Sequence, residues 1–189
     1  MTNITGLLTR VVNLLTTAKV PFMIGGSFAS TLHGSARSTQ DIDIVIAPAT
    51  EAAFSELVGF FNNQEYYIDL ETAHRAFRLG GMFNVIDNLT GWKIDFILRK
   101  DRTFSRIEFE RRIPAKIFGV AVFVATAEDT IISKLEWSEL GGGSHRQRRD
   151  IAGIVAVLGP ALDQPYLQHW LNELQLTDEW TAAQNASDG

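Results

Sequence analysis

The chain contains no cysteine, only five prolines in 189 residues, and no long hydrophobic run. Without thiols, disulfide frameworks, Cys-ligated zinc, iron–sulfur clusters and thiol catalysis are all excluded. The longest uncharged apolar runs, residues 117–127 and 151–162, reach eleven and twelve residues, and Pro160 interrupts the second. Both fall short of the ~20 residues a bilayer-spanning helix needs, so no membrane partner is expected. The first fifteen residues lack the basic start and small-residue cleavage site of a secretory leader, which leads to the expectation of a soluble cytoplasmic protein. An excess of positive charge is also missing, with 17 Lys+Arg against 22 Asp+Glu and a net charge of −5. Non-specific nucleic-acid binding rests on cations displacing counterions from phosphates, so a general DNA coat is excluded and any polynucleotide must be held by a local basic patch.

What is present is an ordinary globular composition, 46% apolar and 21% charged, enough for one domain with a modest appendage and a real core. Ile4, Leu7, Leu8, Val11, Val12, Leu14 and Leu15 recur at helical spacing after an Asn3 cap. Residues 20–24 form a short apolar strand that stops at Gly25-Gly26-Ser27, and residues 28–33 form a short helix closed by Gly34. Residues 41–47 are β-branched and strand-like, 50–61 helical, and 69–79 helical up to Gly80-Gly81. Residues 83–86 and 92–98 flank a connection of hairpin length. Residues 102–112 are helical, and 113–118 with 120–124 pivot on Gly119 as a second hairpin. Thr126 caps a helix running to about residue 140, and helices at 146–158, 166–176 and 178–183 precede a frayed tail at 185–189. Strands mixed with helices, then helices only, imply an α+β fold: a core over residues 1–125 and a helical portion over 126–189 packed on it.

Four features carry chemistry. Gly25-Gly26-Ser27 lies between strand and helix, where glycines admit a close ligand and a helix start offers N–H groups to phosphate. The plain alternative is a tight turn with Ser27 as helix cap. Asp41 and Asp43 are i and i+2 on a strand, so both carboxylates leave one face about 7 Å apart, at ~3.3 Å rise per residue, while Ile42, Ile44 and Ile46 fill the other. Adjacent carboxylates repel unless a cation lies between them, and hard divalent ions prefer such oxygens. Asp95, in Lys93-Ile94-Asp95-Phe96, faces away from the apolar stripe and can complete a triad able to hold two metal ions and deprotonate a hydroxyl. Asp87 competes for that place, but its setting beside Asn88 reads as a turn. Lys134, then Arg146, Arg148 and Arg149 ahead of Asp150, supply positive charge on the C-terminal helices; ordinary surface charge, or for Asp150 a structural place near a helix start, is the simpler reading of each alone.

Taken in order, Gly26-Ser27, thirteen residues, Asp41-x-Asp43 and a later strand Asp resemble the nucleotidyltransferase superfamily related to DNA polymerase beta. His33-Gly34-x-x-Arg37-x-Thr39-x-Asp41 and Glu128-Asp129-x-Ile131-x-x-Lys134-Leu135, followed by Arg149-Asp150, are similar to its bacterial abortive-infection and toxin-type branch. The resemblance covers residues 18–158 and implies a short mixed sheet flanked by helices. It implies transfer of a nucleoside monophosphate from an NTP such as ATP to a hydroxyl on RNA or a tRNA end, a protein side chain or a small molecule. It further implies two Mg²⁺ ions, with Mn²⁺ as a substitute, on Asp41, Asp43 and Asp95, and Asp95 as general base. Gly25, Gly26 and Ser27 would cradle phosphate, with Lys134 near the triphosphate and Arg37 and Asp150 in the nucleotide site. A toxin–antitoxin or phage-defence role with a cognate antitoxin belongs to the same implication. A non-catalytic nucleotide-binding or antitoxin-like regulatory module of the same fold is the alternative.

Overall fold

In the computed structural model, which describes residues 4–185, the chain runs α1 (Ile4–Thr17), β1 (Phe22–Ile24), α2 (Gly26–Leu32), β2 (Asp41–Ile46), α3 (Glu51–Phe60), β3 (Tyr66–Ile68), α4 (Leu70–Leu79), β4 (Met82–Asp87), β5 (Lys93–Leu98), α5 (Thr103–Glu110), β6 (Ile113–Ile117) and β7 (Val120–Val124). It continues through α6 (Ala127–Leu140), α7 (His145–Leu158), a 3-10 turn at Gly159–Ala161, α8 (Gln164–Glu173) and α9 (Thr177–Asn185). The Asn3 cap and residues 186–189 of the expected tail lie outside the described residues; Asn185 ends α9. Among the described residues, no helix is long and apolar enough to cross a membrane.

The strands form one seven-stranded mixed sheet in the order β3-β4-β5-β2-β1-β7-β6. The β4–β5 and β6–β7 hairpins are those the turn residues predicted. Strand β3 is an addition: its three residues are too few to display alternation, yet they pair with Val85–Asp87 at the sheet edge. Two pairings, β2 with β5 and β1 with β7, are parallel. Such pairs need a crossover connection, which between β2 and β5 is the long excursion through α3, β3, α4 and β4.

Among the described residues, those up to Gly25 together with Thr39–Val124 form one compact unit, and Gly26–Ser38 with those from Ala125 onward form a second. The first holds the whole sheet. In β2 the burial alternates, with Ile42, Ile44 and Ile46 buried and Asp41, Asp43 and Val45 half-exposed. The buried face is completed by Ile94, Phe96 and Leu98 of β5 and Phe83 and Val85 of β4. Aromatic rings gather there: Phe54 stacks on Phe77 at 4.6 Å between centroids and meets Phe83 edge-on at 5.8 Å, and Phe96 lies 5.2 Å from Phe83 and 5.4 Å from Phe61. Emptying a fully buried ring such as Phe96 by truncation to Ala would cost about 3–5 kcal/mol.

The second unit is helical. Thr126 caps α6 by accepting from the Asp129 N–H at 3.2 Å, and its hydroxyl donates back to the Asp129 carboxylate at 2.7 Å. The same buried carboxylate accepts from Tyr166 at 2.6 Å, tying α6 to α8. Two close approaches set α7 against the segment after α2. A Cβ on Gly34, whose φ is +119°, would lie 2.6 Å from Val157, and one on Gly153 would lie 2.9 Å from Ser35. His33, buried, fixes the end of α2 through a 2.8 Å contact between Nε2 and the Ala125 carbonyl.

Candidate active site

Side chains paired across neighbouring strands share a face. In the parallel β2–β5 ladder, Asp41 lies opposite Lys93 and Asp43 opposite Asp95, so all four charged groups leave the same, less apolar face of the sheet. Asn84 of β4 is the partner of Asp95 on its other side. The three acids singled out from sequence are therefore brought to one patch, with Asp43 and Asp95 side by side. Alternation along β5 also puts Lys93, two residues before Asp95, on this face. The Lys93 ammonium lies 2.8 Å from the Asp95 carboxylate and 3.5 Å from that of Asp41. The hydrogen bond to Asp95 raises the Lys93 pKa above its ordinary value. Asp95 itself is buried, and its second oxygen, Oδ1, has no hydrogen-bond partner.

Asp87, the competing acid, is elsewhere. It alternates to the opposite face of β4, where its carboxylate takes a 2.9 Å ion pair from Arg10 and accepts from the Thr90 N–H at 3.1 Å, while its carbonyl accepts from Gly91. Arg10 also reaches the Tyr66 hydroxyl at 3.1 Å, so Asp87 closes the turn and ties α1 to the sheet.

A buried anionic oxygen without a donor, beside two more carboxylates on the same face, has the donor chemistry of a hard divalent cation site. Asp41, Asp43 and Asp95 fit such an ion by donor type and by sharing one face. As arranged here, with Lys93 engaged, they do not close into a cage, and among the described residues no group of three His, Asp or Glu side chains does.

The glycine turn begins where β1 ends beside β2: the Gly25 N–H donates to the Asp43 carbonyl at 3.0 Å. The next residue, Gly26, has φ +53°, a left-handed conformation that side chains disfavour. Ser27 is one residue inside α2 and not at its cap.

In the second unit, Ser27, Arg37, Lys134 and Asp150 converge. Asp150, buried, accepts from Lys134 at 2.7 Å and from Arg37 at 3.3 Å, both at Oδ2. Arg37 also donates to the Ser27 hydroxyl and to the Ser38 carbonyl. Lys134 donates at 3.0 Å to Gln147, a member sequence reasoning missed. Its only signal was position, three residues before Asp150 on the same face of α7. Arg146 and Arg149 are not part of this cluster; Arg148 pairs bidentately with Glu179 at 2.8 and 2.7 Å.

By sequence, no family model and no curated protein matches the chain. Solved structures do match. The solution structure of the antibiotic-resistance factor ANT(2'')-Ia superposes with a TM-score of 0.57 at 13% identity, over 95% of this chain and 94% of that one. The chain has the nucleotidyltransferase fold. A crystal structure of ANT(2'')-Ia in complex with adenylyl-2''-tobramycin gives 0.56 at 14% identity, over 95% of this chain and 96% of the other. An antigenic nucleotidyltransferase-like protein from Paracoccidioides brasiliensis gives 0.53 at 18%, covering 93% and 90%. These likenesses extend over nearly the whole nucleotidyltransferase-fold chain, its C-terminal helices included.

Proposed function

We propose that this protein transfers a nucleoside monophosphate from an NTP to a hydroxyl acceptor, using Mg²⁺ at Asp41, Asp43 and Asp95. The observation that carries the reading is the pairing of Asp43 with Asp95 on one sheet face, with Asp95 Oδ1 buried and unpartnered. The fold shared with nucleotidyltransferase structures supports it. Divalent metal bound by these carboxylates, as two Mg²⁺ ions or with Mn²⁺ in their place, would supply neutralisation of the phosphate charge.

The chain's own residues do the rest. Asp95 takes the proton from the acceptor hydroxyl as that oxygen bonds to the α-phosphorus; the bond from phosphorus to the bridging oxygen breaks, and pyrophosphate leaves with the electron pair. Gly26 and Ser27 offer backbone N–H groups to the triphosphate, and Gly25, whose own N–H is taken by the Asp43 carbonyl, admits its close approach. Arg37 and Lys134, oriented by Asp150, add positive charge. Lys93 would give up its pairs with Asp95 and Asp41 where those carboxylates hold metal. An NTP of any base, ATP included, and an acceptor drawn from tRNA, protein or a small aminoglycoside-like alcohol are all compatible with this chemistry. A toxin–antitoxin or phage-defence setting, with a cognate antitoxin as partner, remains part of the proposal through the words around Arg37 and Lys134. A second reading, a nucleotide-binding regulatory module without turnover, is favoured by one observation: Lys93 already balances two of the three acids.

Incubating the protein with α-labelled NTPs, tRNA and cell extract separates the two. Metal-dependent label in an acceptor together with released pyrophosphate supports transfer; nucleotide binding without label in any fraction supports the module. A side chain at Gly26 would be strained at its φ whether or not phosphate binds there, so loss of binding in a Gly26 variant does not by itself identify the turn as the phosphate site.

A further inference from the structure

The carboxyl ends of β2 and β5 open into a cavity of about 890 Å³ in the first unit. It is separate from the acidic face by two criteria. Asp41 and Lys93 begin their strands, whereas Ile46 and Leu98, which line the cavity, end them, and both belong to the opposite, apolar face. Its lower wall is fixed by backbone: the Ala47 N–H donates to the Pro21 carbonyl and the Arg99 N–H to the Ile46 carbonyl, each at 2.9 Å.

The cavity is lined by four cations, Arg78, Arg99, Lys100 and Arg112, and by one acid, Asp101. Asp101 is turned to Arg106, 3.0 Å away. Among the described residues, no carboxylate pairs with any of the four cations. Arg99 and Arg112 each keep a buried Nε–H with no acceptor, a costly state for a charged group. Both guanidinium groups lie over the Phe109 ring, at 5.8 and 4.3 Å from its centroid, and Arg112 is 5.1 Å from that of Phe123. Aromatic faces hold the charges in place without neutralising them. Burial also depresses the Arg112 pKa, as expected of a cation lacking a counter-ion. Beside the charges, Pro21, Pro48, Phe77 and Leu98 offer an apolar wall.

Arg112 is further held by its Nη1 donating to the Phe109 carbonyl. Pre-oriented guanidinium groups with a free Nε–H and no carboxylate partner, beside an apolar wall in a volume within the usual range for small-molecule sites, match one ligand chemistry. We propose that this cavity binds a small phosphorylated organic molecule, its phosphate on Arg99 and Arg112 and its apolar or ring portion against Pro48, Phe77 and Leu98. The site is independent of the proposed transfer reaction. A phosphate in this place gives two stranded cations the bidentate partner they lack, and Lys100 and Arg78, both exposed, add attraction at the mouth.

Calorimetry with phenyl phosphate, inorganic phosphate and phenol, in EDTA so that the acidic face holds no metal, tests this. Phenyl phosphate should bind saturably and at least tenfold tighter than inorganic phosphate, and phenol should not bind. Arg99→Gln should weaken phenyl phosphate tenfold or more, and the exposed double change Arg78→Ala with Lys100→Ala severalfold, while Asp43→Asn leaves it unchanged. Because Arg99 packs over the Phe109 ring, the exposed Arg78/Lys100 pair keeps the test informative if Arg99→Gln fails to fold. Equal binding by all three compounds, binding unaffected by Arg99→Gln and by the Arg78/Lys100 change, or tight binding only of an RNA oligonucleotide would each overturn the proposal.

Discussion

Two regions of this molecule are built from the same ingredients in opposite proportion. On the strand face of the first unit, Asp41 and Asp95 share one nearby ammonium, that of Lys93, and Asp43 lies opposite Asp95. In the second unit one carboxylate, Asp150, serves two cations, Arg37 and Lys134. The first cluster is left with negative charge that a metal ion can use; the second is left with positive charge that a phosphate can use. Exposure differs as well. Lys134 and Asp150 are almost wholly buried, with side chains 6% and 3% exposed, whereas Lys93 and Asp41 stand at 38% and 45%. The buried cluster is thus a structural commitment, and the exposed one can exchange its cation.

The largest expected effect strikes chemistry at the acidic face. Asp43→Asn or Asp41→Asn should abolish metal-dependent transfer, while melting temperature holds or rises because neighbouring like charges no longer repel. Asp95→Asn should keep MgNTP binding yet cut single-turnover transfer at least ~10²-fold, the low end for losing a general base. Full turnover in Asp95→Asn would dissolve the contrast between the regions. Next in size is the opposite pattern at the buried cluster. Asp150→Ala should cost about 3–5 kcal/mol in urea denaturation, because it strands a buried ammonium; a loss no larger than that of a surface change would show Lys134 to be solvated.

Smaller, and sharper as a comparison, is Lys93→Met. Lys93 is partly exposed, but its removal leaves the buried Asp95 carboxylate without its cation, which costs more than losing a surface pair, so metal-free protein should melt lower. Mn²⁺ should then raise the melting temperature by more than it does in the wild type, since no ammonium competes. The smallest effect is the acid limb of stability. Hydrogen bonding from Arg148 holds the Glu179 carboxyl below its ordinary value of 4.5. A depressed folded-state pKa contributes stability above the ordinary value that is lost as pH falls through the depressed one. Glu179→Gln should therefore flatten the fall of melting temperature below about pH 4.5 and leave the neutral region lower but parallel.

Much of this was legible in the sequence, and the reasons are local. Period-two alternation put Asp41 and Asp43 on one face, and Asp87 beside Asn88 read correctly as a turn acid. Thr126 caps its helix as its residue type implies; Thr50 and Asp69 do the same for theirs, which the sequence alone did not single out. What lay beyond reach was non-local. The parallel β2–β5 pairing that sets Asp43 against Asp95 depends on a crossover of some fifty residues, and the grouping of α2 with the last helices depends on where Gly34 and Gly153 allow close packing. Lys93 beside Asp95 was legible from alternation along β5, whereas its approach to Asp41 follows from the register between strands, which a single strand does not reveal.

The account stands most directly on whether the acidic face takes a divalent ion. Mn²⁺ titration followed by electron paramagnetic resonance, in the presence of a non-hydrolysable NTP, measures this without needing an acceptor. Saturable binding by wild type, lost in Asp43→Asn and tightened in Lys93→Met, is the predicted result. Binding of equal strength in Asp43→Asn, or none in the wild type, would contradict it.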